Sequence, residues 1–329
     1  MRAALVVVGA CSSPAHHSTG ALELAPAAGW TGVPCEDGLR FSADGTAAYA
    51  CTTELGFFAG TASGGAIAWR AANSGIDNLA GAALATHPIS PAQLAYVAQP
   101  SAADVWFRSG DTAMTWAPVA LTKTYPPFAV RMVPMVGNMM GTWDGGAVVL
   151  TGFLGTPAPH AVATATGEVR ALAATSSTDI YAAVLGATPD GGTATGGVFH
   201  STDGAMSWTE VDAGIGEPQL VTFVAIDPDD PTSVFATLRG GGQIYHSTDG
   251  AQTWQHANAG LPAGADVVMI AFTPTALYAA TSAGLYLSSD AGASWQLGAL
   301  DGTPVRAVAA AGSSLLVGAN DAIGLYSRL

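Results

Sequence analysis

The chain has 329 residues and a formal charge of −14, from 10 Lys+Arg against 24 Asp+Glu. Only 10% of residues are charged, yet 49% are apolar, and 41 Gly with 19 Pro punctuate the whole length. That composition excludes disorder and long helices. With one Lys, it also argues against a phosphate-backbone-binding surface, so nucleic acid is not an expected partner. No run of 18 apolar residues is present to span a bilayer as a helix.

Residues 1–19 read as an address and tether. Met1-Arg2 is a minimal basic start, residues 3–10 are an uncharged apolar run, and Cys11 follows before a polar stretch. Val8-Gly9-Ala10-Cys11 resembles the lipobox of bacterial lipoprotein signals. The resemblance implies acylation of Cys11 and an exported chain held to the cell envelope by its lipid anchor alone; a plain secretion signal is the alternative. Export would leave Cys35 and Cys51 as a pair in an oxidising compartment, either as a disulfide or as two buried thiols.

From residue 20 onward, tryptophan carries a repeat. Trp69 to Trp116 is 47 residues, Trp208 to Trp254 is 46 and Trp254 to Trp295 is 41, while Trp116 to Trp208 is 92, twice 46. Within a period, strands are expected at 221–226, 233–238, 243–246 and 253–256, separated by Asp-Pro and Gly-rich turns. Four short strands per ~40–45 residues is the blade of a β-propeller. The expected fold is therefore all-β: one domain over 20–329, a seven-bladed propeller of four-stranded blades. After Trp295 only 34 residues remain, so an N-terminal strand containing Trp30 is expected to complete the last blade and close the ring.

The segments before the tryptophans match one another. Ser201-Thr-Asp203-Gly-Ala-Met-Ser207-Trp208, Ser247-Thr-Asp249-Gly-Ala-Gln-Thr253-Trp254, Ser288-Ser-Asp290-Ala-Gly292-Ala-Ser294-Trp295 and Ser109-Gly-Asp111-Thr-Ala-Met-Thr115-Trp116 are four copies in register. They resemble the Asp-box, or BNR repeat, of sialidases, photosystem II assembly-factor-like proteins and sortilin-type proteins. The resemblance implies a structural box between third and fourth strands, on the face away from any active site. His200 and His246 occupy one repeat position and diverge, so no metal site is expected, and no motif calls for a cofactor. Tyr49, Tyr96, Tyr181, Phe235 and Tyr278 are read as one second-strand core position.

Arg40, Arg131, Arg170 and Arg306 open similar inner-strand segments (Leu-Arg-Phe, Val-Arg-Met, Val-Arg-Ala, Val-Arg-Ala) and are read as one repeat position at the channel mouth opposite the boxes. Arginine suits bidentate capture of carboxylate or phosphate; the alternative for each is a local ion pair, such as Glu168 with Arg170 or Asp37 with Arg40. Lys123 and Tyr125 are placed on a loop of the same face. The expected function is a monomeric, non-catalytic binding or assembly propeller that takes a protein partner or an anionic or carbohydrate ligand at this mouth. The alternative is a glycoside hydrolase using loop carboxylates such as Glu168, Glu217 and Asp266.

Overall fold

A computed structural model describes residues 23–26, 33–119, 127–133, 137–142, 147–151, 158–162, 167–186 and 195–327, apart from 43, 64–65, 88, 99–105 and 320–321. The Cys11 signal, Trp30, Lys123 and Tyr125 lie outside these residues. Twenty-eight strands and one short 3-10 turn, Pro218–Leu220, make up the described regular structure. Each inner strand lies beside the next around a central axis, and Val305–Ala311 returns beside Pro34–Phe41.

The described strands form five separate four-stranded blades, not seven. The other eight strands, between Pro34 and Pro118, form one continuous sheet. Its two antiparallel meanders, over 34–71 and 81–118, are joined by parallel pairing of Asp37 with Ala83. The expectation of seven individual blades is thus corrected by contact between two neighbouring inner strands. The last sheet takes its fourth strand from Glu23–Pro26, which pairs antiparallel with Ala322–Ser327, so the closing strand is N-terminal as expected but is not the expected one containing Trp30.

Burial explains the strand chemistry. Second strands such as Leu94–Ala98, Val234–Leu238 and Ala276–Thr281 are buried at every residue, because sheets stack on both their faces. Outer strands such as Thr209–Glu210 and Gln255–His256 are exposed throughout. The alanine richness that would favour helix in isolation supplies the small, flat faces on which adjacent sheets pack.

Four loops repeat one geometry. Ser247 Oγ donates to Asp249 Oδ1 (2.7 Å) and accepts from Ala251 N (2.8 Å), while Asp249 accepts from Thr253 N (2.9 Å) and Thr253 Oγ1 (2.7 Å). Ser109/Asp111, Ser201/Asp203 and Ser288/Asp290 repeat this arrangement. These hydrogen bonds, first those from Thr115, Ser207, Thr253 and Ser294, pull the four carboxyls down to about 2. Their stabilising contribution is therefore present above the ordinary carboxylate range and lost as pH falls towards 2. Ala113, Ala205 and Ala251 hold positive φ (62°, 67° and 66°) where Gly292 stands in the fourth copy. At Gly292 a Cβ would lie 2.6 Å from Phe235, so only glycine fits there.

The tryptophans then tie one sheet to the next. Trp116, Trp254 and Trp295 donate Nε1–H to the carbonyls of Ala72, Val211 and Ala257, each three residues past the preceding repeat's tryptophan. Their backbone N–H groups donate to Ser74, Ala213 and Ala259. Gly75 and Gly260 approach the carbonyls of Trp116 and Trp295 so closely that a Cβ would sit 2.1 and 2.0 Å away. Every such junction is a two-point clamp with a glycine beneath it.

Candidate functional site

A cavity of about 1050 Å³ lies on the axis, walled by inner strands at 171–174, 223–226, 269–272 and 308–311. Its rim is formed by loops between first and second strands, including Ser42, Asp44, Thr175, Asp227 and Gly312. The box loops hydrogen-bond to these same loops: Thr112 N to Ala92 O, Gly204 N to Thr178 O and Gly250 N to Thr232 O. The cavity therefore opens on the face that carries the boxes. The topology requires this, since in an antiparallel meander the first and third turns fall at the same end.

The four arginines do not share one position. Arg170 and Arg306 are the bulged residues of their strands, between Val169/Ala171 and Val305/Ala307. The corresponding bulges elsewhere hold Ala82, Phe128, Thr222 and Val268. Arg131 lies three residues past the bulge of its strand, paired with Met139. Arg40 pairs with Tyr49 at the rim end, where Ala173 and Ala225 stand opposite Tyr181 and Phe235. The expected single ring of arginines is corrected to two levels, because the bulge adds a residue that the tripeptide similarity does not register.

Arg40 lines the cavity, with Nη1 donating to the Leu39 carbonyl at 2.7 Å. Arg170 pairs with Glu168 at 3.0 Å. Arg306 is exposed at the opposite end of its strand. The other carboxylates named from sequence also have local roles. Asp266 accepts from the Gly240 and Gly241 N–H groups (2.8 and 3.3 Å), and Glu217 is an exposed residue preceding the 3-10 turn. At the rim, Asp44 accepts from Ser42 Oγ and from Thr46 N and Oγ1, which holds its carboxyl below the ordinary range.

His200 and His246 stack on Tyr181 and Phe235 with ring centroids 4.0 Å apart, and their Nε2 atoms meet Asp179 Oδ1 (2.6 Å) and Ser233 Oγ (2.9 Å). No cluster of metal-ligating side chains occurs among the described residues. Tyr49, Tyr96, Tyr181, Phe235 and Tyr278 are all buried, but Tyr96 is one residue out of register: it pairs with Phe107, whereas Tyr181 and Phe235 pair with His200 and His246.

One perturbed carboxyl was not singled out from the sequence. Burial, then repulsion from Glu210 and a hydrogen bond with it, push Asp212 up to about 7. Asp212 Oδ2 is buried without a hydrogen-bond partner and would lie 2.3 Å from a Cβ at Gly197. Asn73, four residues after Trp69 as Asp212 is after Trp208, shows what the position does. Its Oδ1 accepts from Phe57 N (2.7 Å) and its Nδ2 donates to Leu55 O (3.0 Å), tying the outer strand to the third. Ionised Asp212 has no donor to offer; protonated, it regains one. Its raised carboxyl contributes stability that is full below about 4 and lost as pH rises through 7. Asp212→Asn is expected to stabilise the protein by about 1–2 kcal/mol at pH 8. Thermal melts of both proteins across pH 4–9 should converge at the acid end; a gain constant with pH would contradict this account.

Residues 204–328 match a family model described as the DUF6242 beta propeller domain. No curated protein matches the chain. Many solved structures are similar to it, among them the following three. The first, "YCF48 bound to D1 peptide", is 16% identical with a TM-score of 0.69 and covers 97% of this chain and 100% of its own. YCF48 from Cyanidioschyzon merolae is 17% identical with a TM-score of 0.69, covering 93% and 98%. A catalytically inactive virginiamycin B lyase from Staphylococcus aureus, with quinupristin, is 12% identical with a TM-score of 0.73, covering 94% and 100%. At these identities the likeness establishes the β-propeller fold.

Proposed function

We propose that this chain is an exported, lipid-tethered, non-catalytic binding propeller whose axial cavity receives a segment of a protein partner. The carrying observation is the 1050 Å³ cavity with a polar rim and an apolar inner-strand wall in which alanines alternate with larger residues such as Phe223, Met269 and Phe272. Such a volume is at the upper end of the ~300–1,000 Å³ typical of ligand pockets. A similar fold, YCF48, has been solved with a peptide bound, which favours a polypeptide ligand over a sugar. Arg40 is the cavity's guanidinium for any carboxylate on that ligand, while the Glu168 pairing of Arg170 favours a local role for the latter.

The test places a photo-crosslinking amino acid at Ala310, on the cavity wall, in the full-length exported protein. The expected outcome is a crosslink to one defined protein segment, mapped by mass spectrometry, together with no turnover of aryl glycosides or sialosides. Turnover abolished by Asp44→Asn or Asp227→Asn would replace this reading with the glycosidase one.

A further inference from the structure

The cavity wall has an unusual pattern. A strand that presents a face to a cavity lines it with alternate residues, whereas here runs of consecutive residues do so: 171–175, 223–228, 269–272 and 308–312. The cavity is therefore bounded by strand edges. Consistently, the inner strands Gly167–Ala174, Val221–Ile226, Val267–Thr273 and Val305–Ala311 each stand at the end of their sheet's order.

The backbone direction follows from the ladder. Asp227 N donates to Ser233 O, so residues 227 and 233 form a hydrogen-bonded antiparallel pair. Alternation then points the N–H and C=O groups of Val224 and Ile226 away from the second strand, towards the axis. The same outward N–H is visible in the last sheet, where Val308 N donates to the Met269 thioether sulfur at 3.2 Å. Sulfur is a weak acceptor standing where a sheet would supply a carbonyl. On the two neighbouring inner strands, Ala171, Ala173 and Ala271 contribute small residues to the cavity lining.

Charge selects the ligand's flank. Beside the 223–226 edge, the rim carries Asp227 followed by Asp229 and Asp230, with Asp44 also on the rim, in a protein of net charge −14. A basic flank is favoured there.

We propose that the cavity binds an extended polypeptide segment by strand addition to the 223–226 edge, antiparallel to it, with Lys or Arg residues just N-terminal to the buried stretch and lying against Asp227 and Asp44. Four paired residues span about 13 Å. This deepens the partner-binding reading and rests on it. It differs in chemistry from capture by arginine, because backbone groups supply most of the contact and the rim carboxylates Asp44 and Asp227 outnumber Arg40.

The probe is the acetylated peptide amide Arg-Lys-Val-Thr-Val-Thr, titrated by isothermal calorimetry against the full chain, with two versions N-methylated on alternate sets of residues. One N-methylated set should lose at least about tenfold in affinity and the other little, since one alternate set of N–H groups faces the edge. Asp227→Asn should weaken binding a few-fold at low salt and less at high salt. Ala174→Trp with Ala310→Trp, at half-exposed cavity positions, should abolish binding with the melting temperature retained. Equal affinity of both N-methylated peptides, or no binding of the parent, overturns strand addition. If the Ala310 crosslink still maps to a protein segment in that case, partner binding survives and only its mode is wrong.

Discussion

Replacing Trp254 by alanine is expected to destabilise the protein by about 3–5 kcal/mol, lowering Tm by roughly 6–20 °C. The indole is buried between its own sheet and the preceding one, in a cluster with Ile215, Val221 and Tyr245. It also closes two hydrogen bonds across that junction, Nε1 to Val211 O at 2.6 Å and N to Ala213 O at 3.2 Å. The alanine variant loses ring volume and leaves the Val211 carbonyl without its indole donor. Trp254→Phe separates the two effects: most of the ring remains, only the Nε1 bond goes, and the loss should be about 1 kcal/mol. Calorimetric melts of both variants check this. Equal losses would mean that the hydrogen bond, not packing, holds the junction.

The tryptophan ladder made much of this fold legible, because Trp116, Trp254 and Trp295 are used in the same way: the ring follows a box and its Nε1–H reaches the preceding repeat. The signal extends further than the boxes. Asn73-Ser-Gly75-Ile76, Asp212-Ala-Gly214-Ile215 and Asn258-Ala-Gly260-Leu261 follow three tryptophans at constant spacing. These segments contain the close-approach glycines and the Asn73/Asp212 position, so Asp212 was readable as an Asp in an Asn slot. Other features left no local trace. The Asp37–Ala83 pairing that fuses two meanders is between strands with different partners on their other edges, and nothing in either segment announces it.

The candidate site was less legible, for a geometric reason. Val-Arg-Ala tripeptides look equivalent in sequence, but a bulge moves Arg170 and Arg306 to one end of their strands while Arg40 stays near the rim. Tyr96 shows the same hazard in a second strand, where a shift of one residue turns a side chain to the other face. The cavity itself is built from backbone edges, which any residue supplies. Composition can therefore indicate small side chains along a channel without indicating that the channel is a binding surface.

Loss of the Cys35–Cys51 bond is expected to cost about 3 kcal/mol, or roughly 6–12 °C in Tm. The two cysteines are buried and joined as a disulfide, with Cα atoms 5.6 Å apart and a sequence separation of 16. They stand where the two meanders of the eight-stranded sheet meet: a Cβ at Gly38 would lie 2.8 Å from Cys51 Sγ, and one at Gly81 would lie 2.7 Å from Cys35 Sγ. The bond therefore ties the start of one inner strand to the second strand of its own meander, directly against the start of the next inner strand. A Cys35→Ala, Cys51→Ala double variant, or the native chain melted with reductant, should show the loss, with no further effect of reductant on the variant. The same bond reports on compartment, since an exported chain keeps it and one held in a reducing cytosol does not. Alkylation of unreduced protein taken from the cell envelope should leave Cys35 and Cys51 unmodified. Full alkylation after denaturation would count against both the clamp and export.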